Sequence, residues 1–463
     1  MSNDDDVLRQ QGPGSGLSRR DALRKLGLFG AAAVVAPAVL AACGDDDDDA
    51  GGGGGATTTA AGGGAGGDVG TQLAEMLGID PNGKNGKGVA FALGNVLALT
   101  GNGSFYGQTM TRGTDLAVKH VAAAGGPNIT VSYKDHKSGD PQAGVTAVNE
   151  LGAEKVPAKL ASYVDDLGAM FAGTDQFKIF TLDGGGGTSI FGQGIPLFWG
   201  TRAITPNDAL PGLFMYIKEK FPDAKTVGLS GWDIGEPSNG IIKEDVLKKI
   251  ADAGYEFNGL YELFPPNTTD FAATLTKIKA NQPDILLAGM YGQDPGFFLD
   301  QAQTADLSAM LFGFEFTPDG VSASKGAYDT VGWTFAYDYF DAKKPIGPLA
   351  KLFVAEFQRE YGEDPDFYAA NFYENVLVLW EVIRRVLAKD GDINDGAALD
   401  AGLQENLTVV SVYGGSETEV GSYTLDPKTH SVIKRPMGVF TYKDEAVTPL
   451  AYFDIGGEGF KTV

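Results

Sequence analysis

Strand-like and helix-like hydrophobic patterns alternate along almost the whole body of this chain, and this alternation constrains its fold most strongly. Apolar residues alternate with polar ones from Ile129 to Tyr133, which is typical of a strand, whereas Met110, Ala117 and Val121 share one face of a helix. Strands that alternate with helices form βαβ units, and these units require parallel strands. The pattern therefore predicts parallel sheets that are covered by helices.

Two successive sets of βα units are present. The first set has predicted strands at 87–93, 129–133, 158–163 and 178–182, and predicted helices at 107–124, 141–151 and 168–176. After a proline-containing break at Thr205-Pro206-Asn207-Asp208, the second set has strands at 226–230, 255–263, 284–290 and 309–314. Its predicted helices are 236–253, a second helix capped by Thr268 or Thr269, and 296–304. Two long helices, 347–361 and 367–389, follow this set, and then short strands such as 437–441. Two sets predict two similar lobes.

The N-terminal segment has the features of an export signal. Arg19 and Arg20 form a twin-arginine pattern, an uncharged run extends from Leu26 to Ala42, and Leu40-Ala41-Ala42-Cys43 follows. This arrangement resembles the signal of an exported bacterial lipoprotein, which implies cleavage after Ala42 and acylation of Cys43. The run is shorter than the roughly 20 apolar residues of a membrane-spanning helix. Cys43 is the only cysteine, which excludes a disulfide framework.

The segment that follows Cys43 is predicted to be a disordered linker over residues 43–85. It contains five aspartates from Asp45 to Asp49 and then mainly glycine, alanine and threonine up to Gly67, a composition that buries no apolar surface. The whole chain has a formal net charge of -24, and removal of residues 1–42, with five Lys/Arg and four Asp, makes it -25. So acidic a protein is unsuited to nucleic acid, and we expect no such partner.

A glycine-rich segment from Gly101 to Gly107 stands before a predicted helix, and Asp135 ends the next strand. This arrangement imitates a dinucleotide fingerprint, in which glycines approach a pyrophosphate and an acid binds the ribose. The spacing is G-x-G-x-x-x-G rather than G-x-G-x-x-G. We favour a loop that lines a cleft, and keep an exported nicotinamide-dependent oxidoreductase as the alternative.

Catalytic motifs are absent from the sequence. The three histidines, His120, His136 and His430, lie in no triad or zinc pattern, and no serine stands at a nucleophile elbow. We therefore expect a binding protein rather than an enzyme, with no cofactor and no metal site.

Several segments keep the order and spacing of a known family. They are Val89 to Leu93, Leu99-Thr100-Gly101, Tyr106-Gly107-Gln108, Gly139 to Ala143, Pro283-Asp284 and Phe312 to Glu315. In this the chain resembles the extracytoplasmic solute receptors of branched-chain amino-acid ABC importers over about residues 86–460. The resemblance lies in the register more than in any single motif.

The resemblance implies an α/β architecture of the type I periplasmic binding protein fold. Two Rossmann-like parallel-sheet lobes would be joined by three crossovers, near Thr205, near 333–340 and near 421–434. Lobe 1 would comprise residues 86–205 plus 340–425, and lobe 2 residues 206–339 plus 426–463. The implied partners are a small-molecule ligand and an ABC permease in the membrane, with the receptor a monomer anchored outside the cell membrane through Cys43.

The resemblance also implies a ligand site between the lobes. Glu315 ends an apolar strand where the family keeps a carboxylate for the ammonium group of its ligand, and a charge-assisted bond there would orient the ligand. Tyr291, Tyr106 and Trp232 occupy positions that face the cleft in the family. Aromatic side chains suit such positions because they combine apolar area with a polar tip.

Two loops depart from the family where it binds a ligand carboxylate. One contains Asp165 and Asp166, which would repel a carboxylate unless they cap a helix, and the other, with Gly185 and Gly186, offers only backbone N–H groups. These departures favour a small polar ligand, amino acid or amide or amine-like, with a cationic or neutral hydrogen-bonding head. A sensory relative of the same fold, without a permease, is the remaining alternative.

Overall fold

The computed structural model describes residues 69–162, 164–185, 195–202, 205–236 and 238–463. Its strands are β1 (Ala90–Leu97), β2 (Asn128–Asp135), β3 (Ala158–Ala161), β4 (Phe180–Asp183), β5 (Phe198–Gly200), β6 (Thr226–Trp232), β7 (Glu256–Phe264), β8 (Ile285–Gly289), β9 (Met310–Gly313), β10 (Thr334–Asp338), β11 (Thr408–Ser411), β12 (Gly421–Leu425), β13 (Val432–Lys434), β14 (Pro436–Lys443), β15 (Ala446–Asp454) and β16 (Glu458–Thr462).

The helices lie between these strands. They are α1 (Val69–Met76), α2 (Ser104–Ala123), α3 (Pro141–Ala153), α4 (Val164–Phe177), α5 (Thr205–Lys220), α6 (Ser238–Asp252), α7 (Ala272–Asn281), α8 (Asp294–Ala305), α9 (Pro318–Ala323), α10 (Ala327–Val331), α11 (Pro348–Tyr361), α12 (Phe367–Ala388) and α13 (Gly396–Gln404), with a short 3₁₀ helix at Ile455–Gly457.

Two main sheets confirm the prediction of parallel α/β architecture. Sheet 1 has the order β2-β1-β3-β4-β5, and each neighbouring pair is parallel. Sheet 2 has the order β16-β15-β14-β10-β9-β8-β6-β7, in which β7, β6, β8, β9 and β10 are parallel and the C-terminal strands are antiparallel. A small antiparallel sheet contains β11, β12 and β13.

Helices cover both sheets. Every residue of β3 and of β4 is buried, as expected of a parallel strand that is covered on both faces. Helices α2 and α12 pack against each other beside sheet 1, and the Cβ of an alanine at Gly113 would lie 2.2 Å from the carbonyl oxygen of Ala369. A glycine is required there because the two helix backbones approach so closely.

The chain passes between the sheets three times. It leaves sheet 1 after β5, leaves sheet 2 after β10 to form α11, α12 and α13, and returns to sheet 2 between β13 and β14. We call sheet 1 with α1–α4 and α11–α13 the sheet-1 half, and sheet 2 with α5–α10 the sheet-2 half. Three connections therefore join the sheet-1 half to the sheet-2 half.

The linker that was predicted to be disordered over residues 43–85 instead contains α1 from Val69 to Met76, because Leu73 is buried in the core. Three further local predictions were wrong. Strand β1 continues from Leu93 to Leu97 because Gly94 fits against Leu151, and because buried Asn95 donates to Thr114 Oγ1 at 3.1 Å. The expected break at Thr205-Pro206-Asn207-Asp208 is the first turn of α5, where proline is tolerated.

The third error concerns the start of α7. The N-cap of this helix is Phe271 rather than Thr268 or Thr269, and the hydroxyl of Thr268 donates instead to the carbonyl oxygen of Pro265 at 2.6 Å. The side chain of Asp270 accepts a hydrogen bond from the backbone N–H of Ala272 at 3.0 Å. Asp270 therefore accepts a hydrogen bond from the first turn of α7, as a threonine cap was expected to do.

Candidate functional site

The candidate site lies where strands of both sheets reach their carboxyl ends. Strand β1 leads through residues 98–103 into α2, which carries Tyr106 in its first turn, and β9 is followed closely by Glu315. A Cβ atom at Gly107 would lie 2.1 Å from the carbonyl oxygen of Ala98, so only glycine lets α2 start this close to the strand end. Crevices for ligands in parallel α/β folds occur at such strand ends.

Glu315 joins the two halves of the molecule through its carboxylate. Its side chain is buried, with 2 % exposure of the residue, and Oε1 accepts hydrogen bonds from the hydroxyl of Tyr106 and, at 2.7 Å, from the backbone N–H of Gly292. Oε2 accepts a hydrogen bond from the hydroxyl of Tyr368 at 2.5 Å. Tyr106 and Tyr368 belong to the sheet-1 half, whereas Gly292 and Glu315 belong to the sheet-2 half. The hydrogen bonds from the two tyrosines to Glu315 therefore connect the two halves directly.

Burial dominates the electrostatics of Glu315. Burial raises the pKa of the Glu315 carboxyl, while the hydrogen bonds from Tyr106, Tyr368 and Gly292 and the positive charge of Arg202 oppose this rise. A charged carboxylate in such a place is stabilised by donors and by cations. A carboxylate accepts hydrogen bonds, so the ligand group that suits it chemically is an ammonium, amidinium or amide N–H, which would replace one of the three donors that Glu315 has here.

The backbone on either side of Glu315 is fixed by Trp333. The indole Nε1 of Trp333 donates to the carbonyl oxygen of Glu315 at 2.9 Å. A Cβ at Gly313 would lie 2.0 Å from Cζ2 of the same indole, so the ring packs directly on the end of β9. The carboxylate is therefore presented from a rigid strand end, which favours a defined ligand geometry.

Trp232 and Tyr291 form a second group at the carboxyl ends of β6 and β8. Their ring centroids are 5.1 Å apart in an edge-to-face arrangement, and the indole Nε1 of Trp232 donates to Oδ2 of Asp294 at 2.7 Å. Gly292, which follows Tyr291, donates its N–H to the hydroxyl of Tyr106 at 2.8 Å. The structure thus brings Tyr106, Tyr291, Trp232 and Glu315 to one edge.

Asp294 fixes the indole of Trp232 by accepting its hydrogen bond. It is buried, and burial raises the pKa of its carboxyl to about 6, against the hydrogen bonds from Trp232, Asn267 and Thr268. The orientation of the indole therefore depends on an acceptor that changes charge near neutral pH.

The two loops that depart from the family lie on the sheet-1 side. Helix α4 begins at Val164, so Asp165 and Asp166 lie within its first turn and do not precede it as caps. Gly185 follows β4, and its backbone N–H donates to Oδ1 of Asp183 at 2.8 Å. Gly186 and Cys43 lie outside the described residues.

The geometry around Asp135 disfavours the dinucleotide alternative. The carboxylate of Asp135 accepts hydrogen bonds from the backbone N–H groups of Leu99 and Lys137, at 3.0 and 2.7 Å, and from both the N–H and the hydroxyl of Thr100. These donors lower the pKa of the carboxyl against the effect of burial. The carboxylate that would bind a ribose therefore already accepts hydrogen bonds from the loop after β1.

The described residues offer no metal site. Among residues 69–463, apart from the undescribed positions, no group of three or more His, Cys, Asp or Glu side chains is placed to hold a metal ion. His120 is buried against Tyr373, with Nδ1 2.8 Å from the hydroxyl, and burial lowers its pKa to about 4. His120 is therefore neutral at physiological pH.

Comparison with known proteins identifies the family. The sequence model of the periplasmic binding protein family matches residues 91–446, which is more than half of the chain. The chain belongs to the periplasmic binding protein family. The expected family resemblance is thereby confirmed, and the receptor reading is supported over the oxidoreductase alternative.

Named relatives agree with the family match. Leu/Ile/Val-binding protein homolog 3 of Brucella melitensis is 21% identical over 366 residues, which cover 77% of this chain and 93% of the relative. Leu/Ile/Val-binding protein homolog 8 of Brucella abortus is 24% identical over 300 residues, 59% of this chain and 70% of that protein. These relatives are named as binding proteins and not as enzymes.

Solved structures share the fold. LivJ of Streptococcus pneumoniae, in complex with isoleucine, has a TM-score of 0.65 and 20% identity, covering 81% of this chain and 99% of that chain. A solute-binding protein of R. palustris in complex with benzoate has a TM-score of 0.65 and 19% identity, with coverage of 81% and 98%. The expected type I periplasmic binding protein fold is confirmed. None of the helices within the described ranges is long and apolar enough to cross a bilayer.

Sequence reasoning missed three residues of the site. Tyr368 binds Glu315, Asp294 binds Trp232, and Arg202 lies with its guanidinium carbon 4.8 Å from the centroid of the Tyr368 ring. A signal existed for Arg202, which lies two residues after the short apolar strand Phe198–Gly200. Tyr368 and Asp294 carry no comparable signal, because each stands at the start of an ordinary helix.

Proposed function

We propose that this protein is a lipid-anchored extracytoplasmic receptor that traps a small solute between its two halves and delivers it to an ABC importer. The observation that carries the proposal is the buried carboxylate of Glu315, which the halves share through Tyr106, Tyr368 and Gly292. Each half acts as a lobe, and hinge closure brings the two sheet edges together around the solute. Membership of the periplasmic binding protein family supports the same function.

The ligand is a small molecule with a cationic or neutral hydrogen-bonding head, such as an amino acid, amine or amide. Glu315 supplies an acceptor for this head, and Tyr106, Tyr291 and Trp232 supply apolar and aromatic surface. Related structures hold isoleucine or benzoate, and both of these ligands have a carboxylate. In this chain Asp165 and Asp166 stand where the family resemblance implies a loop that binds a carboxylate, which favours amines and amides over amino acids within this class.

A thermal-shift screen tests this ligand class. Amino acids, amides, polyamines and short acyl compounds are added to the mature protein, and the unfolding temperature is recorded. A ligand at about 100 times its dissociation constant adds roughly 2.7 kcal/mol to the unfolding free energy. Amines or amides should raise the unfolding temperature, and the bound compound should be recovered unchanged by mass spectrometry. Recovery of a chemically altered product would show an enzyme instead.

The anchor is proposed from Cys43 and the twin-arginine segment. Acylation of Cys43 would hold the monomeric receptor beside its permease, and the part of the predicted linker that precedes α1, residues 43–68, would let the lobes reach it. Cys43→Ala should move the protein from the membrane fraction to the soluble extracytoplasmic fraction. Replacing Arg19 and Arg20 together by lysine should block export, and membrane attachment that survives Cys43→Ala would exclude the anchor.

A further inference from the structure

Three buried ionic side chains lie where the chain passes between the two halves, and a fourth contacts them from a helix. Arg202 follows β5, Asp338 ends β10, and Arg435 stands between β13 and β14. Glu374 projects from α12 of the sheet-1 half. All four are nearly or completely inaccessible to solvent, with Arg202 at 3 % the most exposed. We call these four residues the hinge quartet.

The members of the hinge quartet are bonded in sequence. Asp338 accepts from Nε of Arg202 through Oδ2, and from Nε of Arg435 through Oδ1 at 2.7 Å. Arg435 also donates through Nη2 to Oε1 of Glu374 at 2.7 Å, and through Nη1 to the carbonyl oxygen of Thr201 at 3.0 Å. One network therefore ties the three connections together in the arrangement that the structure shows.

The charges within the hinge quartet balance. Two guanidinium groups face two carboxylates, and the attraction of Asp338 keeps Arg202 charged although burial opposes its charge. Removing one partner of a buried pair leaves an uncompensated charge, whereas balanced and fully bonded groups are tolerated. Glu315 does not belong to these four residues, but the positive charge of Arg202 also favours its charged form.

Arg202 also connects the hinge quartet to the ligand site. Its guanidinium carbon lies 4.8 Å from the ring centroids of both Phe367 and Tyr368, a cation–π distance. Tyr368 in turn donates its hydroxyl to Oε2 of Glu315. The guanidinium of Arg202 thus contacts Asp338 at the hinge and also Tyr368, which donates to the carboxylate of Glu315.

We propose that Arg202 is a positioning residue that couples the hinge to the ligand site by holding Tyr368 against Glu315 only when the three connections are locked together. This inference rests on the proposed receptor function. Opening of the hinge separates Arg202 from Asp338 or from Tyr368, which frees one oxygen of Glu315. Ligand selection and hinge position are then set by the same side chain.

The first test needs no ligand and uses small-angle X-ray scattering of the mature protein. Arg202→Lys keeps the charge but not the planar surface, and Tyr368→Phe keeps the ring but not the hydroxyl. Both should increase the radius of gyration beyond the spread of repeated wild-type measurements. The control is Tyr373→Phe in the same helix. Its buried hydroxyl contacts His120 rather than Glu315, so this variant should keep the wild-type radius of gyration. Wild-type scattering from Arg202→Lys and Tyr368→Phe would overturn the proposal.

The second test measures selectivity with two matched probes, n-butylammonium chloride and butyramide, by calorimetry. Arg202→Lys should change the ratio of the two affinities by about tenfold, the effect of one hydrogen bond to a charged group. Equal losses for both probes would indicate a merely structural role and overturn the inference. If wild-type protein binds neither probe, the proposed ligand class fails, while the scattering comparison still decides the role of Arg202. Should Arg202→Lys not fold, Tyr368→Phe gives both readouts.

Discussion

The hydroxyl of Tyr106 donates a hydrogen bond to Oε1 of Glu315, so a side chain that follows the first strand of sheet 1 is bonded to one that follows the fourth parallel strand of sheet 2. The two halves are therefore held together at the strand ends as well as at the three connections. This contact is the part of the candidate site that depends most directly on the relative position of the halves.

Replacing Tyr106 by phenylalanine should destabilise the protein. The variant removes one donor from a buried carboxylate, and hydrogen bonds to charged groups contribute about 1.5 to 3 kcal/mol. Urea denaturation measures the unfolding free energy. Tyr361→Phe is a matched control, since its hydroxyl donates to the carbonyl oxygen of Arg112 in a partly exposed position and its loss should be smaller. Equal losses in both variants would contradict the assigned contact.

Replacing Asp338 by asparagine should be far more damaging. Asp338 is fully buried and accepts from two arginines, so the variant removes the carboxylate that pairs with Arg202 and leaves Arg435 paired with Glu374 alone. Breaking a buried pair in this way typically costs about 3 to 5 kcal/mol. The comparison is Asp252→Asn, which removes an exposed partner of Lys248 and should change little. A similar unfolding free energy for both variants would show that the hinge quartet does not stabilise the fold.

Asp294 predicts a pH dependence of stability. Its pKa is raised by burial to about 6 in the folded protein, so its contribution to stability is present at low pH and is lost as the pH rises through 6. Asp294→Asn keeps an acceptor for Trp232 and removes this titration. Between pH 4.5 and 7.5 the variant should gain roughly 2 kcal/mol relative to the wild type. Parallel stability curves for the two proteins would refute the shifted titration.

Packing between α2 and α12 predicts a further variant effect. Gly113→Ala would place a methyl group 2.2 Å from the carbonyl oxygen of Ala369, and backbone must move to accommodate it. We expect a loss of about 1 to 3 kcal/mol, the usual range for overpacking. Gly240→Ala in α6 meets only the flexible side chain of Glu236 and should be neutral or slightly stabilising, as alanine favours helix. Thermal unfolding of both variants provides the comparison.

Hydrophobic periodicity was enough to predict the parallel sheets, because their strands are short apolar runs separated by amphipathic helices. It failed where polar residues continue a strand. Asn95 is buried in β1 and bonded to Thr114, a contact that an apolar pattern cannot reveal. It also failed at Thr205, where proline in a first helical turn resembles a break.

The site was predicted only in part. Glu315 was expected at a sheet edge because it follows an apolar strand, and the family resemblance implied its role toward a ligand. Tyr106 was expected in the same cleft, but its hydrogen bond to Glu315 was not, and Tyr368 was missed, since both tyrosines lie far from Glu315 in the chain and are brought to it by the arrangement of the two halves. The hinge quartet shows the same limit. Its members belong to separate parts of the chain, and their ion pairs form only in the folded protein.

Calorimetric titration of the ligand identified in the thermal-shift screen tests the central claim most directly, with wild-type protein, Glu315→Gln and the exposed control Glu244→Gln. We predict one site per chain in the wild type and in Glu244→Gln. Glu315→Gln should lose about 2 to 5 kcal/mol of binding free energy, as expected when one member of a buried charged pair is truncated. Binding by Glu315→Gln that is as tight as in the wild type would place the ligand away from the shared edge of the two halves and contradict the account.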